Sequence, residues 1–239
     1  MCYKNGAMCT VVIVKDATRA LPLLLAANRD EFLQRPWQPP AVRGGADWIL
    51  SPTDGEAGGT WIGVNVHGLV VAITNRRMAT RFNHRSRGLL VHELLTATSV
   101  DGATASLNAN LTHHAYNDFN LMIADVERAR LFRLVNNTPT RTELADGVHC
   151  ITNMHELNQA PIDRADLMGA STWPDWQRQA SALLSDHHTH DDGYAVCKHH
   201  GAYGTSSATL MGLGRAGLRH FEFAAGAPCE NAFTPFNAP

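Results

Sequence analysis

The sequence predicts an α+β fold in which helices cover antiparallel sheets. Three observations lead there. Strand hairpins come first, two helical patterns occupy the middle, and strands resume towards the end. The regular β-α-β alternation of a parallel sheet is missing. So are a Gly-x-Gly-x-x-Gly turn after a strand, a P-loop, a Gly-x-Ser-x-Gly elbow and a His-Glu-x-x-His helix.

The first hairpin pairs the apolar runs Thr10 to Val14 and Leu21 to Ala27 across the polar stretch Lys15 to Arg19. Antiparallel pairing about that loop places position 9 opposite position 27 or 28. Arg35-Pro36-Trp37-Gln38-Pro39-Pro40 reads as loop or polyproline helix. A Gly-rich turn, Gly55 to Gly59, leads into a second hairpin, Thr60 to Val64 and Leu69 to Thr74. Asn75 then sits beside Gly59 and Thr60 at its open end. Arg76 to Arg87 reads as a solvated basic loop. Ser86 caps a helix carrying Leu89, Leu90, Leu94 and Leu95, and Asp101 caps a second helix running to about Thr112. Strands follow over Phe119 to Ala124, Leu131 to Val135 and Val148 to Thr152, with a turn at Asn136 to Pro139. The spacing predicts a helix over Trp173 to Leu184, then a polar loop over Asp186 to Gly193. The last strands are Ala208 to Leu213 and Leu218 to Phe223.

Composition narrows the function. The 239 residues are 44% hydrophobic and 18% charged, which suffices for an ordinary core without disulfides. A net charge of −2 gives no electrostatic case for nucleic acid or for a polybasic membrane anchor. No apolar run is long enough to span a bilayer. The five cysteines are scattered and make no Cys-x-x-Cys pair, so free thiols in a reducing, cytoplasmic setting are expected. Residues 1–7 carry no signal-peptide pattern and read as an extension or a misassigned start before a single domain over 8–239. His187-His188-His190 with Asp191-Asp192, His113-His114 and His199-His200 lie in loops or as adjacent pairs, so no metal is expected. No cofactor is expected either.

One juxtaposition carries chemistry. The hairpin brings Cys9 to the cluster Asn28-Arg29-Asp30-Glu31. If the working chain starts at Cys9, one residue supplies both a thiol nucleophile and an α-amine of pKa about 7.7–8.0, close to what a general base needs. Asp30 would hold that amine. Arg29 would favour the thiolate or grip a substrate carboxylate.

These residues resemble the NRDE family, also called the transport and Golgi organisation family. The likeness runs through Met8-Cys9, Ala26-Ala27-Asn28-Arg29-Asp30-Glu31-Phe32, Gly58-Gly59-Thr60-Trp61-Ile62-Gly63, Ala72-Ile73-Thr74-Asn75, Ser86-Arg87-Gly88, Tyr116-Asn117-Asp118-Phe119-Asn120-Leu121 and Tyr203-Gly204-Thr205. The family is in turn similar to the N-terminal nucleophile (Ntn) cysteine hydrolases. That resemblance implies a four-layer α-β-β-α sandwich and cleavage of a small acyl amide through an acyl-thioester on Cys9. It implies Asn28 and Asp30 as positioning groups and Asn75 and Asn153 as oxyanion-hole amides. Arg29, Trp61 and Ser206 are its substrate-facing candidates, Ser206 standing where many relatives have an arginine. In the acylases the arginine lies three residues before the aspartate, whereas Arg29 adjoins Asp30. Family associations also imply an alternative: a non-catalytic protein that binds or carries haem or an acyl lipid. A homo-oligomer is compatible with either.

Overall fold

The computed structural model describes residues 9–76, 84–164, 167 and 169–237. Cys2, Met8 and part of the basic stretch 76–87 lie outside the described residues. In chain order the strands are β1 (Thr10–Lys15), β2 (Leu23–Phe32), β3 (Trp37–Arg43), β4 (Ile49–Asp54), β5 (Ile62–Asn65), β6 (Val70–Asn75), β7 (Phe119–Ala124), β8 (Ala129–Val135), β9 (Thr138–Glu143), β10 (Gly147–Thr152), β11 (His199–His200), β12 (Tyr203–Gly214), β13 (Gly217–Ala224) and β14 (Thr234–Pro235). The helices are α1 (Arg87–Leu94), α2 (Val100–His113) and α3 (Trp173–Leu184).

Two seven-stranded sheets result. The first runs β10-β1-β2-β12-β13-β14 with β11 on β12, and the second runs β3-β4-β5-β6-β7-β8-β9. Every pairing is antiparallel. Side-chain alternation sorts the core into three slabs. Val11, Ile13, Leu25 and Met211 of the first sheet meet Leu50, Val64, Val70 and Met122 of the second between the sheets. The opposite face of the first sheet, Val12, Leu24, Ala26 and Leu210, packs on Trp176, Ala180 and Leu184 of α3. The outer face of the second, Val71, Ile73, Leu121 and Ile123, packs on Leu90, Leu94 and Leu107 of α1 and α2. The expected α-β-β-α layering is therefore the observed one.

Three local expectations change. The first hairpin pairs Lys15 with Leu23 and Thr10 with Asn28, so position 9 lies one step past Asn28. Leu21 and Pro22 belong to the turn, where their carbonyls accept from Thr18 and Ala17. Residues 37–43 are a strand, not loop. Prolines 39 and 40 fit because β3 is an edge strand and its register breaks between Gln38 and Ala41. The second helix is capped by Ser99, whose side chain accepts from the Gly102 amide, rather than by Asp101.

Candidate active site

Strand alternation decides which groups meet. On β2, Leu25 and Ala27 face the other sheet while Leu24 and Ala26 face α3. Arg29 therefore turns to the inter-sheet side, and Asn28 and Asp30 turn to the helix side. Cys9 continues the inter-sheet set of Val11 and Ile13. It lines a cavity of about 290 Å³ together with Arg29, Trp61 and Ile73, and with Asn75 at the end of β6. The ladder, carried one residue past Thr10–Thr152, brings Asn153 to the flank of Cys9 opposite β2. Asn153 is buried. Cys9 thus meets four of the expected residues, Arg29, Asp30, Asn75 and Trp61, in one cavity.

Asn28 and Asp30 have polar partners of their own on the helix side. The Asn28 amide donates to the carbonyls of Leu184 and Val196, tying β2 to the end of α3. Both oxygens of the Asp30 carboxylate are engaged. Lys198 Nζ donates to Oδ2 at 2.7 Å, and Thr205 Oγ1 donates to Oδ1 at 2.7 Å. The Lys198 and Asp30 side chains are both fully buried. Burial pushes the Asp30 carboxyl up from the usual range, and Lys198 and Thr205 pull it back. What Asp30 offers the thiol is its backbone carbonyl, which accepts from Cys9 Sγ at 3.9 Å.

The cavity walls are strongly charged. Arg29, Arg35, Arg85 and Arg87 line it, with Glu31 and Asp54. Arg29 donates to Asp54 at 3.1 Å and to Ser206 at 3.0 Å, and stacks 4.2 Å above the Trp61 ring. The expected trio Arg29, Trp61 and Ser206 is thus brought together, Trp61 and Ser206 both engaging the Arg29 guanidinium. Arg35 grips Asp54 with two hydrogen bonds, and Arg85 pairs with Glu93. Arg87 differs. It donates to the Asp118 backbone carbonyl at 2.9 Å, and among the described residues no carboxylate lies within ion-pair reach of it. Burial draws its guanidinium down from the usual range, while the nearby Cys9 sulfur pushes it up. The described end of the basic stretch is therefore a half-buried arginine that lines the same cavity as the thiol. A close approach makes this possible. Thr60 N–H donates to Gly88 O at 3.0 Å, and a Cβ on Gly59 would lie 2.1 Å from the Gly88 carbonyl carbon.

Burial also governs the Cys9 thiol. It pushes the Cys9 thiol up to about 12, and the Asp30 charge adds to the rise. Only on the order of one thiol in 10⁵ would ionise at pH 7 without a base. Lys198, Thr205 and Arg87 were missed as functional candidates. Arg87 carried a signal, the Ser86-Arg87-Gly88 motif. Lys198 carried none, because it reaches Asp30 across 168 positions of chain.

With the geometry in place, comparison with known proteins gives the lineage. The family model for Transport and Golgi organisation 2 matches residues 8–192. The chain belongs to this family. Among curated relatives, TANGO2 homologues from Homo sapiens and Bos taurus are similar to it. The human protein is 37% identical over 131 residues, 52% of this chain and 47% of its own length. The bovine protein is 34% identical over 159 residues, 61% of this chain and 57% of its own. The chain thus spans about half the length of the curated relatives it matches. Among solved structures, a Caenorhabditis elegans orthologue of N-acylethanolamine-hydrolyzing acid amidase superposes with a TM-score of 0.58 at 12% identity, covering 85% of this chain and 92% of that one. A variant of conjugated bile acid hydrolase from Clostridium perfringens gives 0.51 at 11% identity, with 97% of each chain covered. These likenesses establish an Ntn-hydrolase fold for this TANGO2-family chain. Among the described residues no helix is long and apolar enough to cross a membrane.

Proposed function

We propose that this TANGO2-family protein is an Ntn-type cysteine amidohydrolase whose substrate is a small acyl amide bearing an anionic group. The observation that carries the reading is Cys9 at the wall of a charged cavity that is also lined by Arg87, an arginine without a carboxylate partner among the described residues. Arg29 is already neutralised by Asp54, so Arg87 is the cation left to hold a substrate carboxylate or phosphate. The cavity volume lies at the lower end of the range for small-molecule sites, which suits a short acyl compound.

A thiol pushed to about 12 needs a local base. An α-amine on Cys9 itself would be that base, so the active form begins at Cys9. The amine takes the thiol proton as Sγ attacks the amide carbonyl. Asn75, and Asn153 from the opposite flank, donate to the developing oxyanion, a contribution typically worth about 2.7–4 kcal/mol per donor. The amine passes the proton to the leaving nitrogen, the C–N bond breaks, and a thioester on Cys9 remains. Water, deprotonated by the same amine, releases the acid and restores the thiol.

The test compares two chains, one processed to begin at Cys9 and one retaining the preceding residues. Each is incubated with a panel of N-acyl amino acids and read by intact mass. The expected result is an acyl adduct on the first chain alone, lost in Cys9→Ala. Turnover by the unprocessed chain, or by Cys9→Ala, overturns the mechanism. The second reading, binding of an acyl compound or haem without cleavage, is favoured by the elevated thiol of the unprocessed chain. It predicts ligand retention by Cys9→Ala and no adduct on either chain.

A further inference from the structure

Four potential metal ligands converge on the far side of Lys198 from the cavity. His187 follows α3, Cys197 and His199 flank Lys198 at β11, and Cys229 lies beyond β13. Their ligand atoms all fall within 4.8 Å of one another. Cys197 Sγ is 3.6 Å from Cys229 Sγ and 3.7 Å from His199 Nε2, and His199 Nε2 is 3.2 Å from Cys229 Sγ. A tetrahedral zinc ion with Zn–S of about 2.3 Å and Zn–N of about 2.0–2.1 Å sets its ligands apart by about 3.8 Å for S to S and about 3.6 Å for S to N. Three of the edges are thus close to tetrahedral. The exposed His187 ring stands 5.2 Å from the His199 ring, centroid to centroid, and closes the fourth corner by side-chain rotation.

We infer that His187, Cys197, His199 and Cys229 form a structural Zn²⁺ site. The donor set is the Cys2His2 type that zinc prefers over harder cations. The ring of His199 also has a carboxylate on its other side. His199 turns Nε2 to the thiols while its Nδ1 lies 3.9 Å from the Glu230 carboxylate, which would fix the tautomer and orient the ring. On binding, two thiols release their protons and the ion with two thiolates and two neutral imidazoles is uncharged. The site joins the segment after α3, the β11 turn and the segment after β13. Cys197 Sγ and His199 Nε2 approach each other while Lys198 between them reaches Asp30, so the ion would clamp the segment that delivers Lys198 to Asp30. The adjacent pairs His187-His188 and His199-His200 do not supply the ligands as pairs. The ligands instead come from three distant segments, which only the folded chain assembles.

The test uses the full chain, purified with reduced thiols. Zinc by mass spectrometry should be about one per chain, and below about one-tenth in Cys197→Ser/Cys229→Ser, while the neighbouring His188→Ala stays at wild-type content. Cobalt(II) added to wild-type protein stripped of metal should give tetrahedral d–d bands with sulfur-to-cobalt charge transfer, bleached by zinc. This readout does not depend on the variants folding. Absence of the cobalt spectrum overturns the site, as does zinc that persists in the double variant. A Cys197–Cys229 disulfide, found after thiols are trapped before lysis, overturns it as well.

Discussion

Removing the cation beneath Asp30 should cost the fold more than any other single polar change near the cavity. In Lys198→Met the Asp30 carboxylate, fully buried, loses its 2.7 Å partner and keeps only Thr205. Leaving one member of a buried pair uncompensated costs about 3–5 kcal/mol. With a urea slope of roughly 3 kcal/mol/M, the midpoint should fall by about 1–1.7 M. The double variant Lys198→Met/Asp30→Asn should recover a large part of that loss, since no charge is then stranded. pH supplies an independent check. Without Lys198, the pull that holds Asp30 down is gone, and burial raises its carboxyl further above the unfolded value of about 3.9. A raised carboxyl binds its proton more tightly in the folded state. The deficit of Lys198→Met is therefore smallest in acid and grows as pH rises through the folded value. Urea titrations of the four proteins of the cycle at two pH values, with zinc content measured alongside, decide the matter. A single variant within about 1 kcal/mol of wild type, with no pH dependence, would refute the pairing.

Two further outcomes are expected. Gly59→Ala should destabilise by about 1–3 kcal/mol or more, because its Cβ would collide with the Gly88 backbone, and the forced separation should weaken binding of anionic ligands through Arg87. Thermal unfolding together with anion titration checks both effects; an unchanged midpoint would contradict the close approach. For Asp54, burial is outweighed by the Arg35 hydrogen bonds and the Ala57 amide, so its carboxyl sits below the usual range. Its contribution to stability is complete above the unfolded value of about 3.9 and is lost as pH falls through the folded one. Asp54→Asn should accordingly flatten the acid limb of the stability profile, and an unaltered limb in Asp54→Asn would count against that network.

The legible part of this protein was its periodicity. Short apolar runs such as Thr10 to Val14 and Phe119 to Ala124 announce strands because both faces of each must leave water. The helix over Trp173–Leu184 was legible for the same reason at a different period. The exposed β9 was not, because a six-residue edge strand with no buried position carries no hydrophobic signal. Nor was β3, whose prolines are tolerated only at an edge and a break in register.

At the site, the sequence by itself determined the cast: a cysteine at the head of one strand, Asn28-Arg29-Asp30-Glu31 at the tail of its partner, and Asn75 at the open end of the next hairpin. Only the tertiary structure decided who faces whom. Moving the first hairpin by a single residue exchanges faces, so Cys9 meets Arg29 rather than the side chains of Asn28 and Asp30. The Lys198–Asp30 pair, the cavity shared by Arg87 and Cys9, and the Cys2His2 cluster all join separate segments of the chain. Such contacts leave no local periodicity to read, because they are set by which layers pack together and not by the spacing of neighbours along one strand.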